Sequence, residues 1–229
     1  MIDPPAPPAT TLYVTSVGET GSHMQLRPYP EEDDGRRVWL SRDEQVQLRN
    51  HYSEQPRREL AVRLGLCGLR VSEVVDVSRG DLRDLPDASV SKLRVVDSKR
   101  GSREAPVPDR LASDLRTVAN ARGLSREAPV IDRTADTVTR WVRTAVETLV
   151  DDGPDGWRHV RPHDLRRTWA TGTYYSLAVG GVPPAEQLTM SWGGWEQSES
   201  GRQTFRQSYL GPVPDHVVVG VDDHLAFGD

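Results

Sequence analysis

The 229-residue sequence is poor in the residues that build several common kinds of site. Its single cysteine, Cys67, excludes a disulfide within the chain and a zinc site made of several cysteines. No apolar run approaches the roughly 18 residues that a membrane-spanning helix needs. The N-terminus lacks the basic start and apolar stretch of a secretory signal. These absences predict a soluble cytoplasmic protein with no membrane partner.

Familiar catalytic and nucleotide-binding motifs are also missing. The six histidines form no H-E-x-x-H pair, and no G-x-x-x-x-G-K-[ST] motif is present. No Gly-rich phosphate loop follows a predicted strand, and the spacing of serine, histidine and aspartate assigns no triad. We therefore expect neither a metal ion nor a cofactor.

Lysine is nearly absent, since Lys92 and Lys99 stand against 27 arginines. An arginine can grip a phosphate with two hydrogen bonds, whereas a lysine acts as a point charge. Codon composition or adaptation to a high-salt cytoplasm would produce the same bias. Either way, a lysine in a functional segment of this chain is unusual.

The formal net charge of −5 at first argues against nucleic acid as a partner. The acidity, however, is confined to the ends, because residues 1–36 and 212–229 each carry a net charge of −4. Residues 37–211 carry +3. The middle of the chain is therefore compatible with a DNA partner.

Composition divides the chain into three parts. Residues 1–36 are acidic and rich in proline, which predicts a flexible arm. Residues 37–211 are long enough for one domain with its own core. Residues 212–229 form an acidic tail, whose Val217–Val219 run could pair as a short strand or dock on a neighbouring molecule.

The middle part is predicted to be mainly α-helical with one small antiparallel β-hairpin, an α+β fold. Ser41 and Glu44 fit a capping box that begins the first helix. Leu93 and Val95 alternate with polar residues before a basic turn, and residues 103–107 resume the strand. The remaining helices are expected at 57–66, 109–120, around a buried stripe over 138–149, at 164–176 and at 203–210.

Two polar segments suggest chemistry without deciding it. Arg70 follows a glycine and precedes Glu73 by three residues, so the carboxylate could hold the guanidinium rigidly, although this spacing is also typical of a surface ion pair. His163 and Arg166 share one face at the start of a helix, where anions bind favourably. The same residues would also suit an ordinary polar helix start.

A third segment contains Trp192, Trp195 and, further on, Tyr209. A tyrosine near a chain end is usually a packing residue, and its pKa near 10 leaves it protonated at neutral pH. Arginines that bind a phosphate would stabilise the phenolate and so allow Tyr209 to act as a nucleophile.

Taken in order, these segments resemble the tyrosine recombinase (phage integrase) family over about residues 38–211. The opening Trp39-Leu40-Ser41-Arg42-Asp43-Glu44 resembles the start of the family's domain. The motifs that follow are Gly68-Leu69-Arg70-Val71-Ser72-Glu73, His163-Asp164-Leu165-Arg166-Arg167-Thr168-Trp169-Ala170-Thr171, Trp192-Gly193-Gly194-Trp195 and Tyr209. The resemblance implies the catalytic-domain fold that this family shares with type IB topoisomerases. In its Trp-Gly-Gly-Trp motif, its excess of arginine over lysine and its acidity, the chain is most similar to haloarchaeal members of the family, chromosomal or viral.

The resemblance also implies a role for each residue of the boxes. Tyr209 would attack the DNA phosphodiester and form a 3′-phosphotyrosyl link, while Arg70 and Arg166 would bind the phosphate oxygens. His163 would act near the tyrosine proton, and Trp195, with Trp192 as the alternative, would lie at the phosphate. Glu73 would orient Arg70 or His163.

Other basic residues are assigned by the same resemblance. Lys99, at the hairpin tip, would protonate the leaving 5′-oxygen, and Arg100 is a rival for that position. Arg100, Arg103 and Arg167 are expected to contact DNA.

The function implied is that of a site-specific DNA recombinase or integrase, which binds a double-stranded attachment site as a dimer to tetramer of this chain. Residues 1–36 are too few for the helical core-binding domain that the family carries, so a fragment and a minimal recombinase both fit. The alternatives are a catalytically silent DNA-binding accessory protein, a type IB-like topoisomerase, and an acidic helical interaction domain in which the motifs occur by chance.

Overall fold

The computed structural model describes residues 23–29, 35–97, 101–152 and 155–220. Within them the fold is mainly helical with two small antiparallel sheets, which confirms the predicted class. No helix in these ranges is both long and apolar enough to cross a membrane. The elements are β1 (Gln25–Pro28), β2 (Arg36–Trp39), α1 (Arg42–Asn50), α2 (Pro56–Gly65), α3 (Val71–Val74), β3 (Leu82–Asp84), β4 (Val90–Asp97), β5 (Gly101–Pro108), α4 (Asp109–Ala121), α5 (Ala135–Asp152), α6 (Pro162–Val179), α7 (Ala185–Gly193), α8 (Glu199–Ser208) and α9 (Asp215–Val219).

The start of α1 ties the first sheet to the domain. The predicted capping box is present, because Ser41 Oγ accepts from the Glu44 amide and Glu44 Oε2 accepts from the Ser41 amide. The other oxygen of the buried Glu44 carboxylate accepts a hydrogen bond from the Met24 amide at 2.8 Å. The prediction of a flexible arm over residues 1–36 is therefore wrong for residues 25–28, which pair with 36–39 as β1 and β2.

The predicted hairpin supplies two strands of a three-stranded sheet. β4 and β5 pair from Val90 opposite Pro108 to Asp97 opposite Gly101. β3, which the sequence pattern did not indicate, adds to the outer edge of β4. Alternate side chains of the hairpin, including Leu93 and Val107, are buried. The tip residues 98–100 lie outside the described residues.

Two apolar clusters form the main core, and α5 lies between them. Val138 packs in the cluster that contains the sheet, whereas Val142 and Ala145 pack in the cluster that contains β2 and the fully buried Trp157. Trp141 is partly buried against both clusters. This arrangement confirms the buried stripe predicted for the helix.

The C-terminal part differs most from the prediction. α7 had no counterpart in the predicted elements, and α8 begins at Glu199, where the Ser198 hydroxyl accepts from the Gly201 amide. The Val217–Val219 run belongs to a short helix rather than a strand. The Val217 amide donates to the Pro214 carbonyl at 2.8 Å, and the Val217 side chain is buried within the same chain. The docking of this run on a second molecule stays a prediction.

Candidate active site

A glycine turn after α2 sets the position of Arg70. Gly68 has a φ of +86°, and a Cβ at this residue would lie 2.4 Å from the ring of Trp169. Only glycine tolerates both the left-handed backbone and this close approach. The turn delivers the chain to α3, whose N-cap residue is Arg70.

The Glu73 carboxylate holds the Arg70 side chain in place. It accepts from the Arg70 amide at 2.7 Å and from the Arg70 guanidinium at 2.6 Å. The same carboxylate, only 5% exposed, also accepts two hydrogen bonds from Arg103 at 2.7 and 2.8 Å. Burial alone would raise the pKa of Glu73, but the hydrogen bonds and charge of Arg103 and Arg70 hold it below its ordinary value.

This network changes the interpretation of Arg103, for which DNA contact was the expectation. Its guanidinium is nearly buried, and its three nitrogens bond to both oxygens of Glu73 and to the Trp192 carbonyl. A side chain whose donors are engaged internally has little left to offer DNA. The contacts make Arg103 a positioning residue that links β5 to α3 and α7.

The first turn of α6 is fixed by a buried carboxylate. Asp164 accepts from the Arg161 and Val38 amides and from the Arg167 guanidinium. Burial raises the pKa of Asp164, although the Arg167 charge opposes the shift. Arg167 also donates to the Ser208 carbonyl at 3.0 Å and is buried, so its predicted DNA contact does not fit this structure.

Arg166 is the most buried cation of the site. It is 1% exposed and donates to the Gly193 carbonyl at 2.6 Å and to the Gly68 carbonyl. Its guanidinium carbon lies 4.0 Å from the centre of the Trp195 ring. Burial and the nearby Arg70 charge lower the pKa of Arg166 to about 10, so it is protonated at neutral pH.

Aromatic rings surround the Tyr209 side chain. The ring of Trp195 meets it edge-on at a centroid distance of 4.5 Å, and the ring of His163 lies 5.1 Å away. The Arg166 guanidinium carbon is 5.7 Å from the same ring. Trp192 instead packs against the core cluster that contains the sheet, so Trp195 is the tryptophan that the fold brings to Tyr209.

His163 is neutral in this environment. Burial lowers its pKa to about 4, and the positive charges of Arg167, Arg166 and Arg70 add to the effect. A neutral imidazole keeps one nitrogen able to accept a hydrogen bond. His163 can therefore serve as an acceptor, rather than as a further cation, beside Tyr209.

Two residues for which the motifs predicted no role hold the backbone of Tyr209. The Trp39 indole N–H donates to the Tyr209 carbonyl at 3.0 Å, and the Thr171 hydroxyl donates to it at 2.8 Å. The Thr171 oxygen in turn accepts from the Gly211 amide. Both residues belong to the quoted motifs, Trp39 at the domain start and Thr171 one turn beyond Arg167 on α6, but the motifs did not predict these contacts.

Two buried donors beside Tyr209 have no acceptor in the described residues. They are Nε of Arg166 and Nε1 of Trp195. A buried donor without a partner costs about 1–3 kcal/mol, so such groups are rarely left in place without a reason. The described site thus combines two arginines, spare donors and a tyrosine, a set suited to an anion with several oxygens.

The fold therefore gathers Arg70, Glu73, His163, Arg166, Trp195 and Tyr209, which the sequence motifs had singled out. Lys99 and Arg100 lie outside the described residues. Within those residues, no group of three or more His, Cys, Asp or Glu side chains forms a metal site.

No protein-family model and no curated protein sequence matches the chain. Solved structures do match it. The crystal structure of XerA recombinase aligns with a TM-score of 0.58 and 20% identity, covering 83% of this chain and 66% of that one. The chain has the fold of a tyrosine recombinase catalytic domain.

Two further recombinase structures give the same result. The Tn1549 transposon integrase in complex with transposon right end DNA aligns with a TM-score of 0.56 and 17% identity, over 86% of this chain and 68% of that one. XerH site-specific recombinase bound to its difH substrate aligns with a TM-score of 0.53 and 14% identity, over 74% and 50%. The chain thus spans from half to about two thirds of the length of these recombinases, and at such identities the likeness extends to the fold.

Proposed function

We propose that this chain carries the catalytic domain of a site-specific DNA recombinase. The observation that carries the proposal is the pair of buried, unpartnered donors on Arg166 and Trp195 beside Tyr209. A phosphodiester would supply acceptors for these donors and a counter-charge for Arg166 and Arg70. The recombinase fold provides independent support.

In the proposed reaction, the Tyr209 oxygen attacks the DNA phosphorus, and the bond from phosphorus to the 5′-oxygen breaks. The phosphate becomes a 3′-phosphotyrosyl ester, and the strand end leaves as a 5′-hydroxyl. The tyrosine proton passes toward neutral His163, and Lys99 supplies the proton for the leaving oxygen. A 5′-hydroxyl of a second strand then reverses the step, so no external energy source is needed.

Arg70 and Arg166 would stabilise the charge that builds on the phosphate oxygens. Preorganised donors of this kind contribute strongly, with one lost donor typically costing about 10²–10³ in rate. Glu73 and Arg103 would act through Arg70 by holding its guanidinium in place. Because Arg166 and Trp195 are buried, DNA binding must open the site enough to admit the phosphate.

The proposed partner is double-stranded DNA carrying an attachment site. The XerH and Tn1549 integrase structures are themselves complexes with DNA. Exchange between two duplexes needs more than one active site, so we propose that this chain assembles on DNA as a dimer to tetramer.

A covalent-adduct assay tests the proposal. Nicked suicide duplexes that tile the DNA flanking the gene of this protein are incubated with the protein, and a DNA-linked species is sought on a denaturing gel. We expect an adduct that Tyr209→Phe abolishes and that Tyr174→Phe, a partly buried tyrosine against Phe205, retains.

Other outcomes would replace the proposal. DNA binding without any adduct would favour a silent accessory protein. Relaxation of supercoiled plasmids without regard to sequence would favour a topoisomerase. An adduct that persists in Tyr209→Phe would assign the nucleophile elsewhere.

A further inference from the structure

A pocket lies at the opposite end of α2 from the candidate active site. It has a volume of about 570 Å³ and is lined by the first turn of α2, the end of α4 and the start of α5. The other end of α2 leads to Gly68, whose carbonyl binds Arg166. At 1.5 Å per residue, the ten residues of α2 separate the two places by about 15 Å.

Four arginines from three segments line this pocket, namely Arg57, Arg58, Arg122 and Arg133. Within the described chain, Asp132 is the one carboxylate that pairs with any of them, at 3.0 Å from Arg122 and 3.8 Å from Arg133. The group therefore carries a clear excess of positive charge.

The positive charges of the pocket arginines repel one another. Burial lowers the pKa of Arg57, and the neighbouring charges of Arg133 and Arg122 lower it further, while Asp132 only partly compensates. Arg57 donates no hydrogen bond to any residue in the described ranges. Bringing like charges together costs free energy that a bound anion would recover.

The apolar part of the pocket lining, called its floor, is partly aromatic. Val118, Ala121 and Trp141 contribute to it, and the Arg58 guanidinium carbon lies 5.4 Å from the Trp141 ring and 5.5 Å from the Tyr52 ring. A phosphate alone would use the arginines and make no contact with the apolar side chains of Val118 and Ala121. The bases of an intact duplex are stacked on one another and are not free to cover these apolar side chains. The pocket volume is in the range typical of small-molecule sites.

We propose that this pocket binds a nucleotide, with its planar base on the apolar floor beside Trp141 and its phosphates on Arg57, Arg122 and Arg133. The arginines of the lining supply paired donors of the kind that phosphate oxygens accept. The ligand would bind remote from Tyr209, so the site is separate from the proposed strand-exchange chemistry.

Competition against a fluorescent ATP analogue tests the proposal in the full chain without any DNA cleavage. We expect ATP to displace the analogue at a concentration at least about tenfold lower than either adenosine or inorganic tripolyphosphate, because base stacking and charge both contribute. The double variant Arg57→Ala, Arg133→Ala should weaken ATP binding at least about tenfold.

A matched control is Arg143→Ala, an exposed arginine of α5 that pairs with Glu147. It should change the affinity for ATP by less than about twofold, as expected for a remote surface charge. Thermal melting of the double variant should lie close to that of the parent chain, because the relief of like-charge repulsion offsets the loss of the exposed contacts between Arg133 and Asp132.

Three results would overturn the proposal. Equal displacement by tripolyphosphate and ATP would leave an anion site without a base subsite. Competition by a short DNA duplex at equal phosphate concentration, lost in the double variant, would make the pocket a DNA-contact surface. Unchanged ATP affinity in a folded double variant would place the nucleotide elsewhere.

Discussion

Replacing Glu73 with glutamine tests whether one buried carboxylate organises the candidate site. Glu73 is 5% exposed and accepts hydrogen bonds from both Arg70 and Arg103. The amide keeps the shape but removes the charge, and its NH₂ group faces guanidinium donors. Removing one partner from a buried ion pair costs about 3–5 kcal/mol. We expect about 3 kcal/mol, since Arg70 is 28% exposed and can turn toward water.

Glu104→Gln provides a matched control. Glu104 also binds two cations, Lys92 at 2.8 Å and Arg83 at 3.0 Å, but its side chain is 42% exposed. Exposed ion pairs contribute about 0–1 kcal/mol, so the same chemical change should cost at most about 1 kcal/mol here. The contrast isolates burial as the cause of the larger loss.

Equilibrium urea unfolding at several pH values measures both effects. The pKa of Glu73 is lower in the folded chain than its ordinary value of 4.5. Its contribution to stability is therefore full above the ordinary value and is lost as the pH falls through the lower folded value. The difference in the free energy of unfolding between the parent chain and Glu73→Gln should therefore become smaller at acidic pH. An equal cost for both glutamine variants at neutral pH, or a gap independent of pH, would refute the reasoning.

Gly68→Ala should destabilise the chain by at least about 2 kcal/mol, because the cost of a left-handed backbone at alanine and the cost of the clash with Trp169 add together. Gly123→Ala, at φ +61° with no atom within 4 Å, should cost only about 1 kcal/mol in the same urea titration. The imidazole of His163 should titrate by NMR with a midpoint near 4, and a midpoint near 6.5 would contradict its burial among arginines. Because the unfolded chain binds this proton first, stability should fall as the pH drops from 6.5 toward 4.

Local signals in the sequence predicted the elements that local interactions decide. The capping box of Ser41 and Glu44 placed the start of α1 correctly, and the apolar spacing around Val142 identified the buried face of α5. By contrast, aspartate is a preferred helix-capping residue, yet Asp109 is the first residue of α4 and its carboxylate accepts from Ser91 on β4. A contact between distant residues overrode the local preference there.

The order of the motifs identified the main residues of the candidate site, but not what supports them. The indole of Trp39 and the hydroxyl of Thr171 reach the Tyr209 carbonyl from positions 170 and 38 residues away in sequence. Such contacts depend on the packing of β2 and α6 against the end of α8. No spacing rule along the chain could have indicated them.

Charge alone could not separate arginines that contact a ligand from arginines that hold the fold. Arg103 and Arg167 were expected to contact DNA, yet buried carboxylates bind both. The pocket at Arg57 and Arg133 joins positions far apart in sequence, so no local pattern along the chain indicated it. Burial and partners, which only the fold determines, decide these roles.

The most direct test of the proposed function is to locate the protein–DNA bond itself. Adducts trapped on suicide duplexes are digested with protease and nuclease, and the modified peptide is sequenced by mass spectrometry. The proposed reaction predicts a nucleotide linked through its 3′-phosphate to Tyr209. A nucleotide linked to any other residue, or through a 5′-phosphate, would contradict it.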